Sequence, residues 1–115
     1  MLKLLWPALR WGDDCAYERE EVGDQAEAVL VEGVEHVTDE QWATADGVIS
    51  RVDPLGSDDV GKLQRCRIFI TPKVGFDNID LEKYGALGIP VCNVPDYGTQ
   101  DVADHAIGLM LSLIK

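Results

Sequence analysis

The sequence predicts an α/β protein built on one doubly wound parallel sheet of about five strands, and three observations point there. Short apolar, β-branched runs recur along the chain at residues 2–6, 28–31, 47–50, 68–70 and 90–94. Stretches with room for a helix separate them, which is the pattern of repeated β-α units. The central runs lack an in-and-out alternation, as expected of strands covered on both faces. At the centre lies a complete strand–loop–helix–strand unit. Ile68-Phe69-Ile70 is stopped by Thr71-Pro72, a loop carries Gly75, Leu81 to Leu87 has room for about two helical turns, and Gly88 ends them before Pro90-Val91-Cys92-Asn93-Val94. Such a loop falls at the carboxyl end of the sheet, where open α/β sheets take their ligands.

The remaining elements follow in order. Met1-Leu2-Lys3-Leu4-Leu5-Trp6 is too short, and too soon cut by Pro7 and Arg10, for a signal core or a membrane span, and it reads as the first strand. Arg10-Trp11-Gly12-Asp13-Asp14 is turn-like, and residues 15–22 form a weakly periodic helix. Ala28-Val29-Leu30-Val31 is the second strand. Thr38 with Gln41 three residues on makes a capping box, opening a helix that carries Trp42 and Ala43 inward. Gly47-Val48-Ile49-Ser50 is the third strand, closed by Asp53-Pro54, and Ser57 caps a short helix at 58–63. After the fifth strand comes a second glycine loop, Pro95-Asp96-Tyr97-Gly98. Thr99 then caps a last helix whose apolar residues, from Val102 to Ile114, circle most of its surface. Such a helix needs cover on nearly all sides. The strand order that suits this series is flavodoxin-like.

Composition excludes some functions. The 115 residues suit one domain, and the net charge of −11 argues against nucleic acid and anionic membranes as partners. Cys15, Cys66 and Cys92 are odd in number and unrelated in spacing, fitting reduced thiols in a cytoplasmic protein. His36 and His105 have no second ligand at zinc spacing, so no metal is expected. No dinucleotide, Walker or nucleophile-elbow motif occurs. A phosphoacceptor receiver domain would use Asp13-Asp14, Asp53 and Thr71, but the loop after the fifth strand lacks the lysine it requires.

Three segments together resemble the D-isomer-specific 2-hydroxyacid dehydrogenases, nearest the phosphoglycerate-dehydrogenase-like and C-terminal-binding-protein-like branch. They are Thr71-Pro72-Lys73-Val74-Gly75-Phe76-Asp77-Asn78-Ile79-Asp80, Gly88-Ile89-Pro90-Val91-Cys92-Asn93-Val94-Pro95-Asp96-Tyr97-Gly98-Thr99, and Val102-Ala103-Asp104-His105. The resemblance implies a substrate-binding domain at 1–98 and a helix at 99–115 that would lead into a second, Rossmann domain absent from this sequence. It implies that Val74 and Gly75 offer backbone N–H groups to the carboxylate of a small 2-keto or 2-hydroxy acid. Lys73, standing where the family commonly has a small or neutral residue, would add a contact. Thr99 and Val102 would face the nicotinamide of NAD or NADP, which this chain alone is not expected to bind tightly. The family's catalytic arginine, acid and histidine all fall beyond the equivalent of Lys115, and His105 is not that histidine. The sequence is therefore read as the substrate-binding part of an oxidoreductase, truncated and inactive alone, with a non-catalytic interaction domain as the alternative. The uncovered apolar side of the last helix predicts self-association, as a homodimer.

Overall fold

Five short strands pair in parallel in the order β2-β1-β3-β4-β5: β1 is Leu2–Trp6, β2 Ala26–Leu30, β3 Gly47–Ile49, β4 Ile68–Ile70 and β5 Val91–Cys92. This is the expected flavodoxin-like order. Among the described residues four α-helices accompany them: α1 at Ala16–Val22, α2 at Asp39–Thr44, α3 at Leu81–Ala86 and α4 at Thr99–Ile114. The computed structural model describes residues 1–9 and 14–114. The turn expected at Arg10 to Asp14 lies, but for Asp14, outside the described residues. No helix among those described is long and apolar enough to cross a membrane.

Side chains alternate across a strand, so register decides which of them share a face. Leu5, Val48, Phe69 and Val91 are in register across β1, β3, β4 and β5, and the first three are buried. Trp42 and Ala45 at α2, Ile79, Tyr84 and Ile89 around α3, and Leu55 and Leu63 between β3 and β4 close over them as the core. On the opposite face Leu4, Ile49, Ile68 and Ile70 remain half-buried, so cover on both faces is less complete than the unbroken apolar runs suggest. Gly47 sits where strands crowd. A Cβ there would come within 2.9 Å of the Leu4 side chain and 3.3 Å of Ile68.

Local chemistry sets most helix ends. The Thr38 hydroxyl accepts from the Gln41 amide while the Gln41 side chain accepts from the Thr38 amide, completing the expected capping box. Trp42 is buried as expected, but Ala43 is only half-buried and Ala45 takes the inner position. Gly88, at φ 72°, follows α3 in the left-handed conformation that glycine enters at little cost. Asp80 caps α3, its carboxylate accepting from the Lys83 amide at 3.2 Å. Ser57 caps nothing: residues 57–59 turn on the Gly56 carbonyl, and a single 3-10 turn, Val60–Lys62, replaces the predicted helix. Thr99 is likewise not the cap of α4. The helix already includes it, and the Gly98 carbonyl accepts the Val102 amide that opens the first turn.

The last helix leaves apolar side chains open to water, as expected of its outward side, but the side expected to face the sheet is uncovered too: none of its residues is buried, and Leu113 is 88% exposed. The reason is topological. β5 is an edge strand, and the chain that leaves it runs beyond the sheet rather than back over it. The longest dimension is 58 Å and the radius of gyration 17.0 Å, against about 13 Å for a compact chain of this length.

Candidate functional site

The carboxyl edge of the sheet carries the loop that the sequence singled out. Pro72 turns the chain sharply as it leaves β4, and the Lys73 amide donates to the Thr71 carbonyl at 2.8 Å. The strand-end segment after β5 then holds the loop from one side. The Val94 amide donates to the Lys73 carbonyl at 3.0 Å, and the Asn93 side-chain amide donates to the Val74 carbonyl at 2.8 Å. The carbonyls of residues 71, 73 and 74 are thus engaged within the fold. The N–H groups of Val74 and Gly75 have no acceptor among the described residues, and both residues are exposed. Two adjacent N–H groups on a braced loop are thus left as donors without an acceptor among the described residues.

The backbone at Gly75 is unstrained. Its φ is not in the left-handed region, so no backbone strain demands glycine there. A Cβ would meet only the Asp77 carboxylate, at an ordinary 3.6 Å. What glycine leaves is open space on its Cβ side, bounded only by the Asp77 carboxylate.

The structure unites part of the predicted site. Val74 lines an open, mainly apolar pocket of about 520 Å³ together with Pro95, Tyr97, Gly98, Thr99 and Val102. Residues predicted separately, Val74 for an acid substrate and Thr99 with Val102 for a nicotinamide, therefore share one wall system. Lys73 and Gly75 are not among its lining residues. The Lys73 ammonium instead donates to the Asn78 side-chain oxygen at 2.7 Å, and the Asn78 nitrogen donates to the Arg51 carbonyl at 3.1 Å. Asn78 so ties the loop after β4 to the loop after β3.

A second tie lies deeper, and sequence reasoning missed it. One Asp53 oxygen accepts from the Lys83 ammonium at 2.7 Å and from the Tyr84 hydroxyl at 2.6 Å; the other accepts from the Asp80 amide at 3.0 Å. Lys83 also donates to the Leu55 carbonyl and stacks over the Tyr84 ring, its nitrogen 4.8 Å from the centroid. Both side chains of the ion pair are largely buried, at 8% and 16% exposure. Burial acts to raise the Asp53 pKa, but the hydrogen bonds from Lys83, Tyr84 and the Asp80 amide, with the lysine charge, outweigh it and hold the carboxyl below its usual range. Burial, and then the hydrogen bond to Asp53, push the Tyr84 hydroxyl well above its ordinary value, so it stays a donor. A carboxylate with these partners anchors α3 beneath the loop. It is no free phosphoacceptor. The only local signal was Asp53-Pro54 after a strand, since its partners stand 27 to 31 residues away.

Among the described residues no group of three or more His, Cys, Asp or Glu side chains is placed to hold a metal ion. Burial raises the pKa of the Cys66 thiol, so it is no ready nucleophile.

Known proteins place this geometry in context. The D-isomer specific 2-hydroxyacid dehydrogenase family, catalytic domain, matches residues 13–108. Glyoxylate/hydroxypyruvate reductase A HPR2 of Arabidopsis thaliana is 46% identical over 56 residues, which are 49% of this chain and 18% of that protein. The crystal structure of an NADPH-dependent glyoxylate/hydroxypyruvate reductase from Sinorhizobium meliloti, in complex with citrate, superposes with a TM-score of 0.75 at 28% identity, covering 96% of this chain and 34% of that one. D-Lactate dehydrogenase from Aquifex aeolicus, complexed with NAD and lactic acid, reaches a TM-score of 0.76 at 24% identity, over 98% of this chain and 34% of that one, a likeness of fold. The chain thus spans about a third of the length of these solved structures.

Proposed function

This chain belongs to the D-isomer specific 2-hydroxyacid dehydrogenase family, and we propose that it is the substrate-binding domain of an NAD(P)-dependent oxidoreductase acting on small 2-keto and 2-hydroxy acids. The observation that carries the reading is the pair of unengaged N–H groups at Val74 and Gly75, on a loop whose Thr71, Lys73 and Val74 carbonyls are committed to holding its shape. These donors would hold the substrate carboxylate, with the Lys73 ammonium adding positive charge nearby. The carbonyl carbon would then lie toward the apolar pocket that Val74 shares with Thr99 and Val102.

The mainly apolar lining of that pocket, Val74, Pro95, Val102 and Ala106 with Thr99 among them, suits the flat, weakly polar face of a nicotinamide. When bound, the nicotinamide supplies the hydride. The chain's own residues orient the acid and exclude water from one side of it. The proposed share of this domain in the reaction is binding and placement of the acid. Residues 99–115 would lead from it toward the cofactor domain, and their exposed apolar surface supports that assignment. The proposed compartment is the cytoplasm.

The reading is tested by titrating the isotopically labelled chain with hydroxypyruvate and glyoxylate, the acids named for the relatives above. The amide signals of Val74 and Gly75 should move in a saturable way, weakly because these 115 residues supply only one wall of the proposed cleft. Shifts confined to the chain ends, or none, would refute it.

A further inference from the structure

Each peptide unit that offers a free donor at the candidate site is gripped by its other end. A peptide unit is planar and, here, trans, so its carbonyl and its N–H point in opposite directions. The Val74 N–H shares a unit with the Lys73 carbonyl, which accepts from the Val94 amide at 3.0 Å. The Gly75 N–H shares a unit with the Val74 carbonyl, which accepts from the Asn93 side-chain amide at 2.8 Å. Both carbonyls therefore face the segment after β5, and both N–H groups face away from it. A carbonyl that accepts a hydrogen bond also polarises its own peptide, which makes the N–H of that unit a stronger donor.

The two grips differ in kind. The first continues the pairing of β4 with β5, in which the Thr71 amide already donates to the Cys92 carbonyl at 2.9 Å, and any residue except proline at position 94 would supply it. The second depends on one side chain. Among the described residues no backbone N–H reaches the Val74 carbonyl, and half-buried Asn93 supplies the donor. The residue type matters, because an ionised aspartate in its place would have no N–H to give and would set a negative charge against the carbonyl oxygen. This unit also has the greater need of a grip. Glycine at its far end crosses to positive φ at little cost, so the peptide is free to turn over once its carbonyl is released.

Resting on the carboxylate-binding reading above, we propose that Asn93 is a positioning residue for the acid. It acts through the Val74–Gly75 peptide, holding that unit so that the Gly75 N–H stays turned toward the ligand.

The test is amide titration of the chain and its variants with hydroxypyruvate. Asn93→Ala should weaken binding about five- to tenfold, the equivalent of one hydrogen bond. At saturation its Gly75 signal should move less than in the parent while Val74 keeps its shift, because the Val74 N–H belongs to the unit that the Val94 backbone holds. Asn93→Asp should bind more weakly still. Val91→Ala, which removes core packing from β5 but touches neither grip, should lower the melting temperature and leave the affinity unchanged. An Asn93→Ala variant that binds as tightly as the parent, or whose Gly75 signal moves as far, would overturn the proposal and leave the carboxylate site standing. So would an Asn93→Asp variant that binds more tightly than Asn93→Ala, or a Val91→Ala variant that loses as much affinity, since the effect would then be one of local order. If hydroxypyruvate moves neither amide of the parent chain, the carboxylate reading and this proposal fall together.

Discussion

Residues 68–86 and residues 99–114 are both rich in large apolar side chains, yet the fold treats them in opposite ways. In the first, Phe69 and Tyr84 are wholly buried, their rings 4.8 Å apart, and Ile79 closes the layer. In the second, Ile107, Leu109, Met110 and Leu111 are each more than half exposed. The difference does not lie in hydropathy. The first segment enters the sheet between β3 and β5, with structure on both sides; the second leaves an edge strand with nothing beyond it. Hydropathy states that a surface needs cover, and topology decides whether this chain supplies it.

That contrast sets the size of the expected effects. Phe69→Ala, emptying the centre of the core, should cost about 3–5 kcal/mol in urea unfolding. Asp53→Ala leaves Lys83 buried without its partner and should cost about 3 kcal/mol; Tyr84→Phe, which removes one hydrogen bond to a charged oxygen, about 2 kcal/mol. The Asp53 contribution should also depend on pH. Its folded pKa lies below its unfolded value of about 3.9, so the unfolded chain takes up the proton first as pH falls. The stabilisation is complete above about pH 4 and is lost as pH drops through the folded value. Unfolding midpoints measured from pH 6 to pH 2.5 should fall over the acid end of that range, and Asp53→Ala should flatten the fall.

On α4 the same kind of substitution should barely touch folding. Leu109→Lys or Leu113→Lys should change unfolding free energy by less than about 0.5 kcal/mol. Association should change instead. The sedimentation coefficient of the wild-type chain should rise with concentration as the exposed apolar faces pair, and either lysine variant should stay monomeric. A wild-type chain that stays monomeric at high concentration would show that charge repulsion outweighs this surface. Smaller still is the expected activity: the isolated chain should turn over no NADH or NADPH with 2-keto acids, because the groups that bind the dinucleotide and polarise the carbonyl lie outside the elements described here.

Much of this was legible in the sequence where the signal is local. The capping box at Thr38 and Gln41, the glycine past α3 and the proline that ends β4 each act on residues a few positions away, and each was placed correctly. The strands were found, though β5 is two residues rather than five and β2 begins two residues early, since short apolar runs carry no boundary of their own. What escaped depended on distance in the chain. The Asp53–Lys83–Tyr84 knot joins residues about thirty apart, and nothing in a turn-forming aspartate announces a buried lysine. For the site, the loop at Lys73, Val74 and Gly75 was legible as strand, proline and glycine. That Lys73 turns toward Asn78, and that Gly75 keeps an unstrained backbone, were not.

The central claim is that glycine stands at position 75 so that a carboxylate reaches the backbone, and Gly75→Ala tests it most directly. With no positive φ and no close neighbour for a Cβ, the variant should fold with a melting temperature within a degree or two of the wild type. Its methyl group should nevertheless stand over the amide, and hydroxypyruvate should no longer shift the Val74 and Gly75 signals at concentrations that saturate the parent chain. A folded Gly75→Ala variant that binds hydroxypyruvate as tightly as the parent would contradict the account.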